Sequence, residues 1–203
     1  MSFSTKEKAH KTIAIIGAGC AGWSLAARAD QLSASHIELF KKPDNHSSHS
    51  WGFWQMPWLS DAVSQTRKSW KKWQIITSNG SVEHYSAVHP YCSLRSDVWI
   101  KSCKQKFLNA KTQTSITEEP VNRTEKNVLI TREHKSDFDV IYDSRPPVTG
   151  KNILLQHFRG LEIRTTKPVF NPDAAILMDF RVSQEKGIHF MYVLGYDEYT
   201  ALV

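Results

Sequence analysis

The first strong pattern along the chain is Ile13-Ala14-Ile15-Ile16, four apolar residues of which three are β-branched, as in a short strand buried on both faces. Residues 23–32, rich in Ala and Leu, predict a helix, and His36–Phe40 predicts a second strand at the distance of a β-α-β unit. Residues 43–50 are polar and turn-rich and read as a loop. Residues 73–77 and 81–85, separated by Asn79-Gly80, predict a hairpin. Beyond Pro90, Ser96–Leu108 carries Val98, Trp99, Cys103, Phe107 and Leu108 near helical spacing, with Ser96 or Asp97 as its cap. Residues 127–131 and 138–142 read as strands. From Leu154 the rhythm is extended. Residues 154–160, 174–182, 188–194 and 199–203, separated by turn signals at Pro168, Asn171-Pro172-Asp173 and Lys186-Gly187, predict successive antiparallel strands of a second sheet.

Between the first strand and its helix, Gly17, Gly19 and Gly22 have the G-x-G-x-x-G spacing of a dinucleotide-binding turn. In that motif the first glycine permits the tight turn, the second lets backbone N–H groups approach a pyrophosphate, and the third lets helix pack on strand. An acid normally closes the second strand and binds a ribose hydroxyl. Here the strand runs into Lys41 and Lys42, so either Lys41 contacts a phosphate or the acid is lost. A competing reading is a signal peptide, with Lys6, Lys8 and Lys11 before an apolar run that ends at Ala27-Arg28-Ala29. Three glycines interrupt that run, and a strand follows it. Residues 139–145, Asp139-Val140-Ile141-Tyr142-Asp143-Ser144-Arg145, are a strand ending in an acid and a short turn, whose backbone N–H groups are expected to face a bound cofactor.

The pattern predicts an α/β protein: a dinucleotide-binding domain over 1–150 with an aromatic-rich insertion at 46–90, and a β-sheet domain that begins over 151–203. At 203 residues and 40% hydrophobic composition the chain is that of a folded globular protein. Its net charge of +6 and pI near 9.2 invite anionic partners, yet Lys and Arg are dispersed and no nucleic-acid-reading motif accompanies them. No run of 18 apolar residues exists to span a bilayer. Cys20, Cys92 and Cys103 lack metal or disulfide spacing, and His46 and His49 read as loop residues, so no metal site is expected.

Trp51, Trp54, Trp58, Trp70 and Trp73, with Phe53, are concentrated in a short stretch. Such rings build a core, line a tunnel for a long apolar ligand, or form a belt at a membrane surface with Arg67, Lys68, Lys71 and Lys72 toward the headgroups.

Four segments carry a more specific likeness: the glycine loop; Ser48-His49-Ser50-Trp51-Gly52-Phe53-Trp54; Val140-Ile141-Tyr142-Asp143-Ser144-Arg145; and Leu155-Gln156-His157-Phe158-Arg159-Gly160 with Ala175-Ile176-Leu177-Met178-Asp179-Phe180-Arg181-Val182 and Phe190-Met191-Tyr192-Val193-Leu194. Together they resemble the lycopene β-cyclase family of carotenoid biosynthesis. The resemblance implies a Rossmann-type FAD-binding domain joined to an antiparallel β-sheet substrate domain, here incomplete at the C-terminus. Full members are close to twice this length, and their next motif, Glu-x-Thr, would follow Val203. The 203 residues alone are therefore expected not to cyclise lycopene.

The implied reaction is redox-neutral. An acid protonates the linear end group of lycopene, a tertiary carbocation closes the ring, and proton loss leaves a β-ionone ring. The resemblance implies FAD, kept reduced by NAD(P)H, and a cytoplasmic protein that meets its substrate at the membrane surface. Gly17, Gly19, Gly22, Lys41 and Asp143 are the expected cofactor-binding residues, Asp179 the active-site carboxylate, and Trp51, Phe53 and Trp54 the pocket lining. Asp179 has a structural alternative, an ion pair with Arg181. Three departures stand out: Lys41 replaces an acid, Ser144-Arg145-Pro146-Pro147 replaces a Gly-Arg-Gly-like turn, and Leu194-Gly195 replaces Leu-Pro. The alternatives are a redox flavoprotein acting on another apolar isoprenoid, and a non-catalytic chain.

Overall fold

In the computed structural model, residues 11–43, 48–148, 150 and 153–203 are described. The elements in chain order are β1 (Thr12–Ile16), α1 (Cys20–Ala26), β2 (His36–Phe40), β3 (Ser50–Trp54), α2 (Ser60–Val63), β4 (Lys68–Trp70), β5 (Lys72–Thr77), β6 (Gly80–Tyr85), β7 (Tyr91–Arg95) and α3 (Ser96–Leu108). They continue with β8 (Gln113–Thr117), β9 (Arg123–Glu125), β10 (Val128–Ile130), β11 (Lys135–Asp137), β12 (Val140–Asp143), β13 (Glu162–Arg164), β14 (Ala174–Asp179), β15 (Met191–Gly195) and β16 (Thr200–Leu202).

The chain divides into two compact units, Met1–His49 with Ser96–Thr149, and Ser50–Arg95 with Gly150–Val203. The units divide near residue 150, as expected, but residues 50–95, which take in most of the aromatic-rich stretch, fall in the second unit rather than the first. The aromatic-rich stretch is no insertion in the first domain, because β5 pairs in parallel with β14, Trp73 opposite Ala175. That long-range pairing draws the stretch into the sheet built from the last 50 or so residues.

The first unit is built on a parallel sheet of order β12-β1-β2-β8. Ile13, Ile15, Ile37 and Leu39 point to one face, where Trp23 of α1 and Cys103 and Phe107 of α3 cover them, with the Trp23 and Phe107 rings edge to face at 6.1 Å. Ala14, Ile16 and Phe40 point to the other, against Leu129 of β10 and Phe138. This two-sided burial is why β1 reads as an unbroken apolar run. The predicted helix over 23–32 is instead α1, starting at Cys20, and a separate 3-10 turn at Ala29–Gln31.

The second unit holds a six-stranded sheet, order β13-β16-β15-β14-β5-β6, and a three-stranded sheet, order β3-β7-β4. The larger sheet is mixed rather than wholly antiparallel, since β5 and β14 run parallel. The hairpin β5–β6 closes with Thr77 opposite Gly80, so Ser78-Asn79 form its loop and Gly80 takes φ +152. Residues 154–160, expected as a strand, form none; Leu161 exchanges backbone hydrogen bonds with Val203, and the strand itself begins at Glu162 opposite Leu202. No helix among the described residues is long and apolar enough to cross a membrane.

Candidate functional site

The glycine turn stands at the carboxyl edge of the parallel sheet. Gly17 has φ +100, and its amide donates to the Phe40 carbonyl (2.9 Å), tying the turn to the end of β2. A Cβ on Gly17 would lie 2.5 Å from Ser144 Oγ, and one on Gly22 would lie 1.8 Å from the Gly17 carbonyl oxygen. A Cβ on Gly19 would meet nothing within 4 Å. The first and third glycines are thus required by the protein's own packing, while the second leaves open space where a ligand can approach the backbone.

β12 closes the other side of the turn. The Ser144 hydroxyl donates to the Ile16 carbonyl at 2.7 Å and its backbone N–H to the same oxygen at 2.9 Å, so the serine that departs from the glycine-rich pattern is accommodated beside Gly17. Arg145 wraps Asp143, its backbone N–H donating to Oδ1 at 3.0 Å, Nε to Oδ1 at 2.9 Å and Nη2 to Oδ2 at 2.6 Å. Arg145 Nη1 also donates to the Val121 carbonyl at 2.6 Å. These bonds lower the Asp143 pKa and keep the carboxylate ionised. The expectation that this turn offers backbone N–H groups to a cofactor is corrected: those of Ser144 and Arg145 are bonded within the protein.

Lys41 is buried at the end of β2, 4% exposed, with Nζ 2.8 Å from Glu118 Oε1. Glu118 directly follows β8, and nothing local in the sequence marks β8 as the neighbour of β2.

In the second unit, β3 separates its aromatic residues by face. Gly52 and Trp54 lie opposite Ser93 and Tyr91, and a Cβ on Gly52 would sit 2.0 Å from Tyr91 Oη and 2.9 Å from Tyr192 Oη. The two hydroxyls share a hydrogen bond of 2.6 Å, and burial raises both phenol pKa values. Trp54 packs edge-on against Tyr91 at 5.0 Å and Trp73 at 6.2 Å. Strand alternation points Trp51 and Phe53 to the opposite face of β3.

Trp70 is core, 1% exposed, with Nε1 donating to the Gly195 carbonyl, whereas Trp58 is 70% exposed. Arg67 stacks 3.7 Å above the Tyr196 ring and holds Glu162 with two hydrogen bonds, and Lys68 donates to the Tyr196 carbonyl. These two cations therefore hold the unit together.

Asp179 ends β14 in the same chelate as Asp143. Arg181 donates to it from the backbone N–H at 3.0 Å, from Nε at 2.9 Å and from Nη2 at 2.6 Å. Those bonds lower the Asp179 pKa, the reverse of the burial-raised acid that a proton donor requires. Asp179 is paired with Met191, and Tyr192 is the next residue of β15, so Asp179 lies on the sheet face opposite the Tyr91–Tyr192 pair. The structure does not bring Asp179 together with Trp54, nor Trp54 together with Trp51 and Phe53.

The expected pair His46 and His49 is described only at His49, which bonds through its backbone to Ser96; His46, Lys6 and Lys8 lie outside the described residues. Among the described residues, Glu119, Glu133 and His134 bring three ligand-type atoms within 4.8 Å of one another, with His134 paired to Glu119.

A comparison of the sequence with protein families matches residues 12–203 to the family described as Lycopene cyclase protein. The chain belongs to that family. No curated protein matches the chain. Among solved structures, this lycopene cyclase family chain is similar to 2-methyl-3-hydroxypyridine-5-carboxylic acid oxygenase, with 11% identity and a TM-score of 0.63 over 96% of this chain and 58% of that one. It is similar also to Xcc4156, a flavin-dependent halogenase from Xanthomonas campestris, with 10% identity and a TM-score of 0.64 over 95% of this chain and 54% of that one. A third is P. aeruginosa PqsL in complex with 2-aminobenzoylacetate, with 11% identity and a TM-score of 0.59 over 95% and 59%. The shared fold is mixed α/β with parallel and antiparallel sheets. The chain spans a little over half the length of these structures.

Proposed function

We propose that the protein is a lycopene β-cyclase: a flavoprotein that binds FAD in a Rossmann-type first unit and closes the linear end groups of lycopene into β-ionone rings without net redox change. Family membership over residues 12–203 is the observation that carries this reading. The glycine turn fits the cofactor, with Gly17 and Gly22 closed by packing and Gly19 open. Gly17, Gly19 and Gly22 would hold the pyrophosphate, with Asp143 at the adjoining strand end. The chemistry that FAD supplies there, reduced and with NAD(P)H as the reductant, is electron density for a cationic reaction.

Asp179 serves that reaction as an anion. Arg181 holds it ionised, so it stabilises a developing carbocation and leaves the protonation of the substrate to another acid. Trp54 belongs to the packed cluster with Tyr91 and Trp73, which leaves Trp51 and Phe53 as the pocket-lining pair. Leu154 and Phe158, 96% and 79% exposed beside His157, offer apolar surface for a polyene or for peripheral contact of a cytoplasmic protein with a membrane.

The test is conversion of lycopene in liposomes, with FAD and NAD(P)H in deuterated water, by a full-length member of the family into which residues 12–203 of this chain are built. Acid-catalysed closure places solvent deuterium in each ring formed and consumes no NAD(P)H beyond that needed to reduce the flavin. NAD(P)H oxidised in proportion to product, without ring closure, would establish instead a reductase or hydroxylase acting on an apolar isoprenoid.

A further inference from the structure

The missing acid of β2 has a replacement one strand away. The sheet runs β1-β2-β8, and the carboxyl ends of these three strands are stitched together: Gly17 donates to the Phe40 carbonyl, Phe40 stands opposite Thr117, and the Lys41 amide donates to the Thr117 carbonyl at 3.0 Å. Glu118 therefore leaves the sheet at the same edge as the glycine turn. It is displaced from β2 by one inter-strand step of about 5 Å, within reach of a Glu side chain. Its carboxylate turns back toward β2, with Oε1 on Lys41 Nζ at 2.8 Å, so it stands beside the position where the usual acid would begin. Lys41 is buried and Glu118 is 61% exposed at its side chain, so the ammonium is shielded by protein while the carboxylate is open to solvent at the same carboxyl edge of the sheet as the turn. Glu38, the acid within β2, does not take this role: it precedes Lys41 by three residues, points to the other face of the sheet, and accepts the Thr117 hydroxyl.

We propose that Glu118, supplied by the end of β8 and held in place by Lys41, is the acceptor for the adenosine ribose hydroxyls of FAD. This rests on the flavin reading above. Lys41 is then a positioning residue, and its charge offsets the repulsion between Glu118 and the pyrophosphate.

The test is FAD affinity, read from quenching of flavin fluorescence, for the wild-type protein, Glu118→Gln and the exchange variant Lys41→Glu/Glu118→Lys. FAD carrying 2′-deoxyadenosine serves as a second probe, and thermal melting confirms that each protein is folded. Loss of a charged hydrogen bond predicts FAD binding about 10- to 100-fold weaker in Glu118→Gln. The wild type should discriminate against the deoxy probe and Glu118→Gln should not. The exchange variant returns the acid to β2 and should recover part of the affinity. If Glu118 only neutralises Lys41, Glu118→Gln exposes a positive charge to the pyrophosphate and FAD binds as well or better, which overturns the assignment. Equal discrimination by both proteins overturns it too. A wild-type protein that binds neither probe overturns the flavin reading itself, and the assignment with it.

Discussion

The carbonyl oxygen of Gly17 occupies the place where a side chain on Gly22 would begin, 1.8 Å from the position of its Cβ. The turn and the first residues of α1 are thus in direct backbone contact, and only glycine at residue 22 allows it.

Gly22→Ala should therefore weaken both folding and flavin binding, lowering stability by about 1–3 kcal/mol as an overpacked site. Gly19→Ala meets no protein atom within 4 Å, so it should leave the melting temperature unchanged and reduce flavin binding alone. Thermal melts and bound flavin per chain separate the two. Equal melting losses in both variants would contradict the distinct roles assigned to these glycines.

Gly52 admits the Tyr91 and Tyr192 hydroxyls against β3. Gly52→Ala should destabilise the protein by about 1–3 kcal/mol. Added Tyr91→Phe, which removes the nearest atom, should restore part of that loss, so a double-mutant cycle on urea unfolding should be non-additive.

The Tyr91–Tyr192 pair should also show in alkaline titration. Both phenols have pKa values raised by burial, so the folded protein keeps them neutral while the unfolded chain ionises near pH 10. Their stabilising contribution is complete below about pH 10 and fades as the pH rises above it. Absorbance at the tyrosinate band should show these two residues titrating only as the protein unfolds, whereas normal titration of all six tyrosines in the folded state would refute their burial.

Asp179 behaves in the opposite sense. Its folded pKa is depressed by Arg181, so its contribution to stability is present above the unfolded value of about 3.9 and is lost as the pH falls through the lower folded value. The stability difference between wild type and Asp179→Asn should hold from pH 7 to about pH 5 and shrink below pH 4. A difference that grows on acidification would mean that Asp179 is a protonated, burial-raised acid.

Local pattern made much of this fold legible. β1, β2, the β5–β6 hairpin and α3 lie where periodicity and turn residues place them, because each is specified by neighbours in sequence. β8 escaped notice because Gln113-Thr114-Ser115-Ile116-Thr117 is largely polar and becomes a strand by pairing with β2. The sheet β3-β7-β4 escaped for a similar reason: Trp51 and Phe53 read as aromatic chemistry rather than as alternate positions of a strand. Residues 154–160 carry the apolar rhythm of a strand and lack a partner, and without a partner the rhythm does not make one.

By itself the sequence determined the family, through motifs spread over residues 12–203, and the glycine turn, because tight backbone geometry leaves its mark directly in residue type. Only the tertiary structure decided which groups meet. It gave Glu118 to Lys41, brought Tyr91 and Tyr192 together over Gly52, and paired β5 with β14. Those outcomes depend on strand register and on the order of strands across a sheet, quantities set by contacts between residues far apart in the chain.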